Sequence, residues 1–174
     1  MQTLPLKNSM LAEQPLSFDF IDHFEISLQR NDVESWEPVA AFFQCSPAWV
    51  TALFKMRNAL VKKLGLKAEL ANLEKMQPPF KKGDKFGLFN LYEINQNESI
   101  MGEDDFHLDF RLSFQIDENN VLHGTTGVSY NNIFGKIYLF FVKPFHQLIV
   151  PYMLKKMAKL INEKSLSQHS QRSR

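Results

Sequence analysis

The chain has 174 residues, which is enough for a single domain with a sizeable hydrophobic core. Its formal net charge is +1 and its pI is near 7.8, so nothing favours nucleic-acid binding and we expect no nucleic-acid partner. The one cysteine, Cys45, excludes an internal disulfide and a cysteine-rich zinc site. Sixteen phenylalanines predict an aromatic interior that either fills a core or lines a pocket for an apolar guest.

The two ends of the chain differ from the rest in composition. Residues 1–16 show no sustained period and are predicted to be irregular. They lack the charged start and continuous apolar run of a secretory signal, so we expect a cytoplasmic protein. Residues 165–174 have too little apolar surface to fold and are predicted to be a disordered tail. A single domain is predicted over residues 17–164.

The first part of that domain predicts one strand and two helices. Apolar residues alternate over residues 17–28, the period of a strand with one buried face, and only Asp22 breaks the pattern. A short helix is predicted over residues 36–43, and a longer one over residues 46–65, which begins with Ser-Pro and ends at a glycine. Arg57 lies in line with apolar residues of this second helix, where it either extends to water or enters a polar site.

Four strands are predicted next. Residues 66–85 contain Pro-Pro and a glycine and form the connection, either a plain crossing or a lid over an opening. The strands follow over residues 86–94, 98–102, 105–116 and 121–130, and the third alternates apolar and polar residues without a break. The DENN turn at 117–120 predicts a hairpin that pairs Leu112 with Gly124.

Residues 133–161 are the most apolar stretch and predict one long helix, bent at Pro144 or Pro151. The polar residues of its first half fall on one narrow side at ~100° per residue, so we expect the opposite side to be buried. The first half has Lys136, Lys143, His146 and Gln147 on the polar side, and Ile133, Phe134, Ile137, Tyr138, Phe141, Phe145 and Leu148 on the apolar side. The two lysines, the histidine and the prolines weigh against a membrane span, and no transmembrane segment is expected.

This order of elements predicts an α+β fold in which a curved antiparallel sheet wraps a long kinked C-terminal helix. It resembles the helix-grip fold of the START-like superfamily, also called SRPBCC or Bet v 1-like. Three blocks resemble the bacterial domain of unknown function 2867 family: FFxxSPAWV from residue 42, GEDDFHLDFRLSF at 102–114, and LFFVKPFHQLIVPYMLKKM at 139–157. That family has no settled activity, so the resemblance supplies no catalytic residues. In some of its relatives a similar domain is attached to a nucleotide-binding oxidoreductase domain, which implies association with an oxidoreductase. A homodimer is the other partner expected.

A cavity for a hydrophobic small molecule or lipid is the leading functional hypothesis. The helix-grip resemblance and the Phe-rich interior both motivate a space between the sheet and the C-terminal helix. The residues expected to bind the ligand are Phe110, Leu112, Phe114, Tyr130, Tyr138, Phe141, Phe145 and Arg57. No cofactor and no metal site is expected.

Two alternatives come from polar residues. Asp105, His107 and Asp109 alternate along one predicted strand, so they could act as acid and base in a cyclase, dehydratase or hydrolase, or simply form a solvated outer wall. The basic end of the long helix could instead meet a protein or a membrane surface. It carries Lys155, Lys156, Lys159 and Lys164.

Overall fold

The computed structural model describes residues 8–45 and 78–172, with side chains up to Glu163. The predicted second helix, Arg57 and most of the predicted connection lie outside these residues. The elements in chain order are a 3-10 turn (Met10–Glu13), β1 (Phe20–Ser27), α1 (Glu37–Gln44), β2 (Lys85–Phe86), β3 (Phe89–Ile94), β4 (Glu98–Asp104), β5 (Leu108–Ile116), β6 (Val121–Tyr130) and α2 (Ile133–Arg172). The backbone of α2 therefore continues past residue 164, where composition places the end of the domain.

The six strands form one antiparallel sheet in the order β1-β6-β5-β4-β3-β2. The predicted α+β class, the antiparallel meander and the long C-terminal helix are confirmed. The predicted hairpin register is wrong by two residues, because Leu112 pairs with Thr126 rather than Gly124. The Asp117 carboxylate accepts hydrogen bonds from the backbone of Asn119 and Val121, which lengthens the turn. A shift of two residues keeps the same side chains on the same face.

The inner face of the sheet packs against α1 and the C-terminal half of α2. Gly124 lies under the helix, and a Cβ there would meet the Leu154 side chain at 3.3 Å, so the glycine lets the two elements approach closely. The most deeply buried members of this core include Val39, Leu91, Met101, Leu122, Met157 and Ile161. This core fixes which side of α2 faces the sheet.

The outer face of the sheet is covered by the N-terminal segment. Leu11 and Phe18 pack there against Ile100 in a second apolar cluster. The buried carboxylate of Glu98 accepts hydrogen bonds from the Ser9 hydroxyl and the Met10 backbone N–H, both at 2.6 Å. These contacts begin before residue 17, the predicted start of the domain, and tie the irregular segment to the sheet.

The N-terminal half of α2 is not buried on the side that its polarity predicts, although Tyr138 of that side is partly buried. Leu139 is buried among Phe20, Leu108 and Val128 of the sheet. The predicted buried side is exposed instead, with Phe141 64% and Leu148 74% exposed. Leu139 and Met157 are 18 residues apart, which is about five helical turns, so both point to the sheet. The expectation that this apolar side is buried is therefore wrong, because packing of the C-terminal half sets the rotation of the whole helix.

Two neighbouring residues of α2 test this orientation. We expect Leu139→Ala to lower the free energy of unfolding by about 2–5 kcal/mol, because it leaves a cavity against the sheet. Phe140→Ala should change it by less than about 0.5 kcal/mol, because Phe140 is 75% exposed. Urea unfolding of both variants measures the difference. Equal destabilisation, or a larger loss for Phe140→Ala, would show that the helix is rotated differently.

Candidate functional site

The N-terminal half of α2 carries a continuous apolar surface, which we call the exposed apolar face. Its members are Ile133, Phe134, Ile137, Phe140, Phe141, Phe145, Leu148 and Tyr152, each between 39% and 75% exposed. At ~100° per residue they fall within a stripe about 140° wide, and at ~1.5 Å per residue the stripe is about 29 Å long. Contiguous exposed apolar surface of this kind marks contact sites for proteins, lipids or ligands.

The exposed apolar face continues into a cationic end. Lys155, Lys156 and Lys159 follow it on the same side of α2 and are exposed. The Lys156 ammonium lies 5.7 Å from the centre of the Tyr152 ring, where apolar and cationic surfaces meet. Lys159 is 3.7 Å from Glu163, an exposed ion pair that leaves the end of the face cationic overall.

The residues predicted to bind a hydrophobic ligand separate into two groups. Phe110, Leu112 and Phe114 face α2 from the sheet, and the last two are buried in the core. Tyr130 and Tyr138 pack, partly buried, beside Leu139. Phe141 and Phe145 belong to the exposed apolar face, and Arg57 lies outside the described residues. The structure therefore divides the first five between two apolar clusters at the contact of sheet and helix, and places the other two on the exposed side of α2.

A shallow, open depression of about 270 Å³ lies at the start of α2. It is lined by Tyr130, Asn131, Asn132, Ile133 and Lys136. Its floor is polar as well as apolar, and it opens beside the first residues of the exposed apolar face. Of the residues predicted to bind a ligand, Tyr130 is the one that it contains.

The predicted acid and base residues lie in the β4–β5 hairpin rather than along one strand. Because β5 begins at Leu108, Asp105 and His107 belong to the turn, and the predicted alternation holds only from Asp109 onward. The His107 Nδ1 atom is 3.6 Å from Asp105 Oδ2, and both side chains are largely buried. The His107 ring also meets the Tyr138 ring edge to face at 5.1 Å.

Asp109 has a structural role in this hairpin. Its Oδ1 atom accepts hydrogen bonds from the Asp105 backbone N–H at 3.1 Å and the Asn131 side chain at 2.9 Å. The Asn132 side chain donates to the Phe106 carbonyl and caps the first turn of α2. The three predicted residues thus join the hairpin to the start of the helix, and they form neither a solvated wall nor an alternating row.

A partly buried polar pair links the sheet to the middle of α2. The His146 Nδ1 atom lies 3.2 Å from Asp22 Oδ2, and its Nε2 atom lies 3.4 Å from the Thr126 hydroxyl. This contact explains why Asp22 interrupts the apolar alternation of β1. Burial lowers the pKa of His146 from its ordinary value of 6.5, against the opposing effect of Asp22. The folded state therefore favours the neutral imidazole.

The depressed pKa of His146 predicts acid sensitivity. Protonation is easier in the unfolded chain, so stability is full above pH 6.5 and falls as the pH drops below it. One such group changes the free energy of unfolding by at most about 1.4 kcal/mol per pH unit. We expect His146→Gln to make the free energy of unfolding depend less steeply on pH between about pH 7 and pH 5. Urea unfolding in the presence of a metal chelator measures this dependence. An unchanged slope would show that folding does not lower the pKa of His146.

Residues 15–153 match the family model described as protein of unknown function, DUF2867. The chain belongs to this family. The match spans well over half of the chain and includes β1 to β6 and the N-terminal half of α2. No curated protein and no solved structure gives a significant match. Membership confirms the family predicted from the sequence blocks, and the family description assigns no activity.

One helix of the described residues is long and apolar enough to cross a membrane by length and composition. It is Ile133–Glu163, with a mean hydropathy of 1.3. Leu139, Met157 and Ile161 of this helix pack into the cores of the domain. His146 meets Asp22 of the sheet. These contacts make it an integral part of the sheet-and-helix fold.

Proposed function

We propose that this protein is a START-like, helix-grip protein of bacterial origin that binds a hydrophobic small molecule or lipid with an anionic head group. A single antiparallel sheet followed by a long helix across its inner face supports the helix-grip assignment. The binding surface in this proposal is the exposed apolar face of α2 together with its cationic end. It differs from a closed cavity, because the ligand lies along the helix rather than beneath it.

The main support for this proposal is the change from apolar to cationic surface along one side of α2. An acyl chain on the exposed apolar face would gain about 0.8 kcal/mol for each buried CH₂ group. A phosphate or carboxylate at the other end would meet Lys155, Lys156 and Lys159, each worth about 1 kcal/mol toward an anionic lipid surface. An apolar surface of a partner protein would not explain why three lysines continue the same side of the helix.

Two of the predicted ligand-binding residues, Phe141 and Phe145, take part in this surface. Four other described members, Phe110, Leu112, Phe114 and Tyr130, lie on the sheet in the apolar clusters beneath the helix, and Tyr138 belongs to the helix itself. The enzymatic alternative has weaker support, since Asp109 is engaged with backbone and Asn131 at the hairpin. A homodimer that buries the same face and docking to an oxidoreductase are the alternatives. The binding and sedimentation measurements below test lipid binding against them.

Matched lysine variants test the proposal. The variant K155A/K156A/K159A removes the cationic end of the face, and K81A/K82A/K85A removes three exposed lysines elsewhere with the same change in net charge. We expect the first variant to bind both oleate and phosphatidylglycerol vesicles at least tenfold more weakly, and the second to stay within about twofold of the parent. Titration calorimetry with oleate and vesicle flotation measure the two probes separately.

The apolar half of the surface has its own test. Phe141→Gln combined with Leu148→Gln should reduce binding of both probes by at least tenfold, with little loss of stability because both residues are exposed. Binding of oleate alone would identify a free amphiphile as the ligand, and binding of vesicles alone would identify a membrane surface. Failure to bind either probe would overturn the proposal. A dimer in sedimentation analysis that this double variant dissociates would overturn it in favour of self-association.

A further inference from the structure

The outer face of the sheet brings together two histidines and a glutamate from β1 and β6. His23 and Glu25 alternate on β1 and so share one face, and the antiparallel register places Glu25 opposite His123 and His23 opposite Thr125. The three side chains with metal-binding atoms are therefore direct neighbours. They lie on the opposite side of the sheet from α2, so this cluster is independent of the surface proposed above.

The distances converge on one point between the three side chains. The Glu25 Oε2 atom lies 3.8 Å from His23 Nε2 and 3.6 Å from His123 Nδ1. The three ligand atoms all lie within 4.8 Å of one another. A tetrahedral Zn²⁺ ion with bonds near 2.0–2.1 Å needs its ligand atoms about 3.4 Å apart, so small side-chain adjustments suffice.

The far nitrogen of each imidazole is directed at an oxygen that can orient it. His23 Nδ1 lies 2.9 Å from the Thr125 hydroxyl, and His123 Nε2 lies 3.4 Å from Asp117 Oδ2. Histidines that ligate a metal almost always use their other ring nitrogen in this way, which fixes the tautomer and ring orientation. These contacts leave His23 Nε2 and His123 Nδ1 as the nitrogen atoms that face the Glu25 carboxylate.

His123 gives a second and independent reason to expect a ligand. Its side chain is 7% exposed, and its ring nitrogens have carboxylate oxygens at 3.6 Å (Glu25) and 3.4 Å (Asp117), both longer than a good hydrogen bond. A buried imidazole that lacks a good hydrogen bond is unfavourable, and metal coordination by Nδ1 would remove part of that cost. The His23 and His123 rings also stack on each other, with their centres 5.4 Å apart.

We propose that His23 Nε2, His123 Nδ1 and the Glu25 carboxylate bind one Zn²⁺ ion. Two imidazoles and one carboxylate suit zinc better than magnesium or calcium, which prefer all-oxygen sites. The Glu25 side chain is 65% exposed, so the fourth position opens to solvent and holds water. Three protein ligands with an open fourth position characterise zinc sites that act on small molecules rather than purely structural ones.

Zinc binding to the full chain, freed of metal with chelator, tests the site. We expect calorimetry with zinc chloride to give one tight site per chain, and Glu25→Gln and the double variant H23Q/H123Q to weaken it at least tenfold. His107→Gln is the matched control, because His107 is equally buried and has Asp105 at 3.6 Å, yet lies outside the cluster. It should bind zinc as the parent does.

Two further measurements separate loss of the site from loss of the fold. Zinc should raise the melting temperature of the parent and of His107→Gln but not of Glu25→Gln, whose exposed side chain is not needed for folding. Imidazole ¹⁵N spectra of the zinc form should show the proton on Nδ1 of His23 and on Nε2 of His123. Absence of tight zinc binding, equal loss in His107→Gln, or the opposite tautomers would each overturn the proposal.

Discussion

Packing of the C-terminal half of α2 against the inner face of the sheet is the constraint on which the other features depend. Leu154 sits where Gly124 leaves no side chain in its way, and Met157 and Ile161 are each 1% exposed. α1 packs against the same half of α2 within this core. Because a helix rotates as one body, this contact also decides which residues of the N-terminal half face the sheet, five turns away.

That rotation leaves the apolar stripe facing outward. On the side toward the sheet, Leu139 is buried in the core and His146 meets Asp22 and Thr126, while Lys136, Lys143 and Gln147 stay exposed. The cation of Lys143 lies 5.1 Å from the Phe20 ring centre, which covers part of the remaining polar side. The outward stripe is left as exposed aromatic and aliphatic surface. A folded protein keeps such a surface when it has a partner, and the adjoining lysines point to an anionic amphiphile.

The two faces of the sheet therefore serve different purposes. The inner face supports a helix that displays a binding surface, while the outer face is partly sealed by the N-terminal segment through Glu98 and Leu11. Where that cover ends, the β1–β6 pair leaves His23, Glu25 and His123 together beside solvent. The exposed apolar face proposed to bind an amphiphile and the cluster proposed to bind zinc therefore lie on opposite sides of the sheet.

The sequence by itself determined the α+β class and the approximate course of the strands, because alternation and apolar runs are local patterns that contiguous residues encode, and its blocks of residues identified the family. It also singled out Asp22 as an interruption, although the partner that explains it, His146, is 124 residues away. Only the tertiary structure decided the rotation of α2, the hairpin position of His107 and the meeting of His23 with His123. Each depends on pairing or packing between distant segments, and the periodicity of one element does not say which of its faces another element will cover.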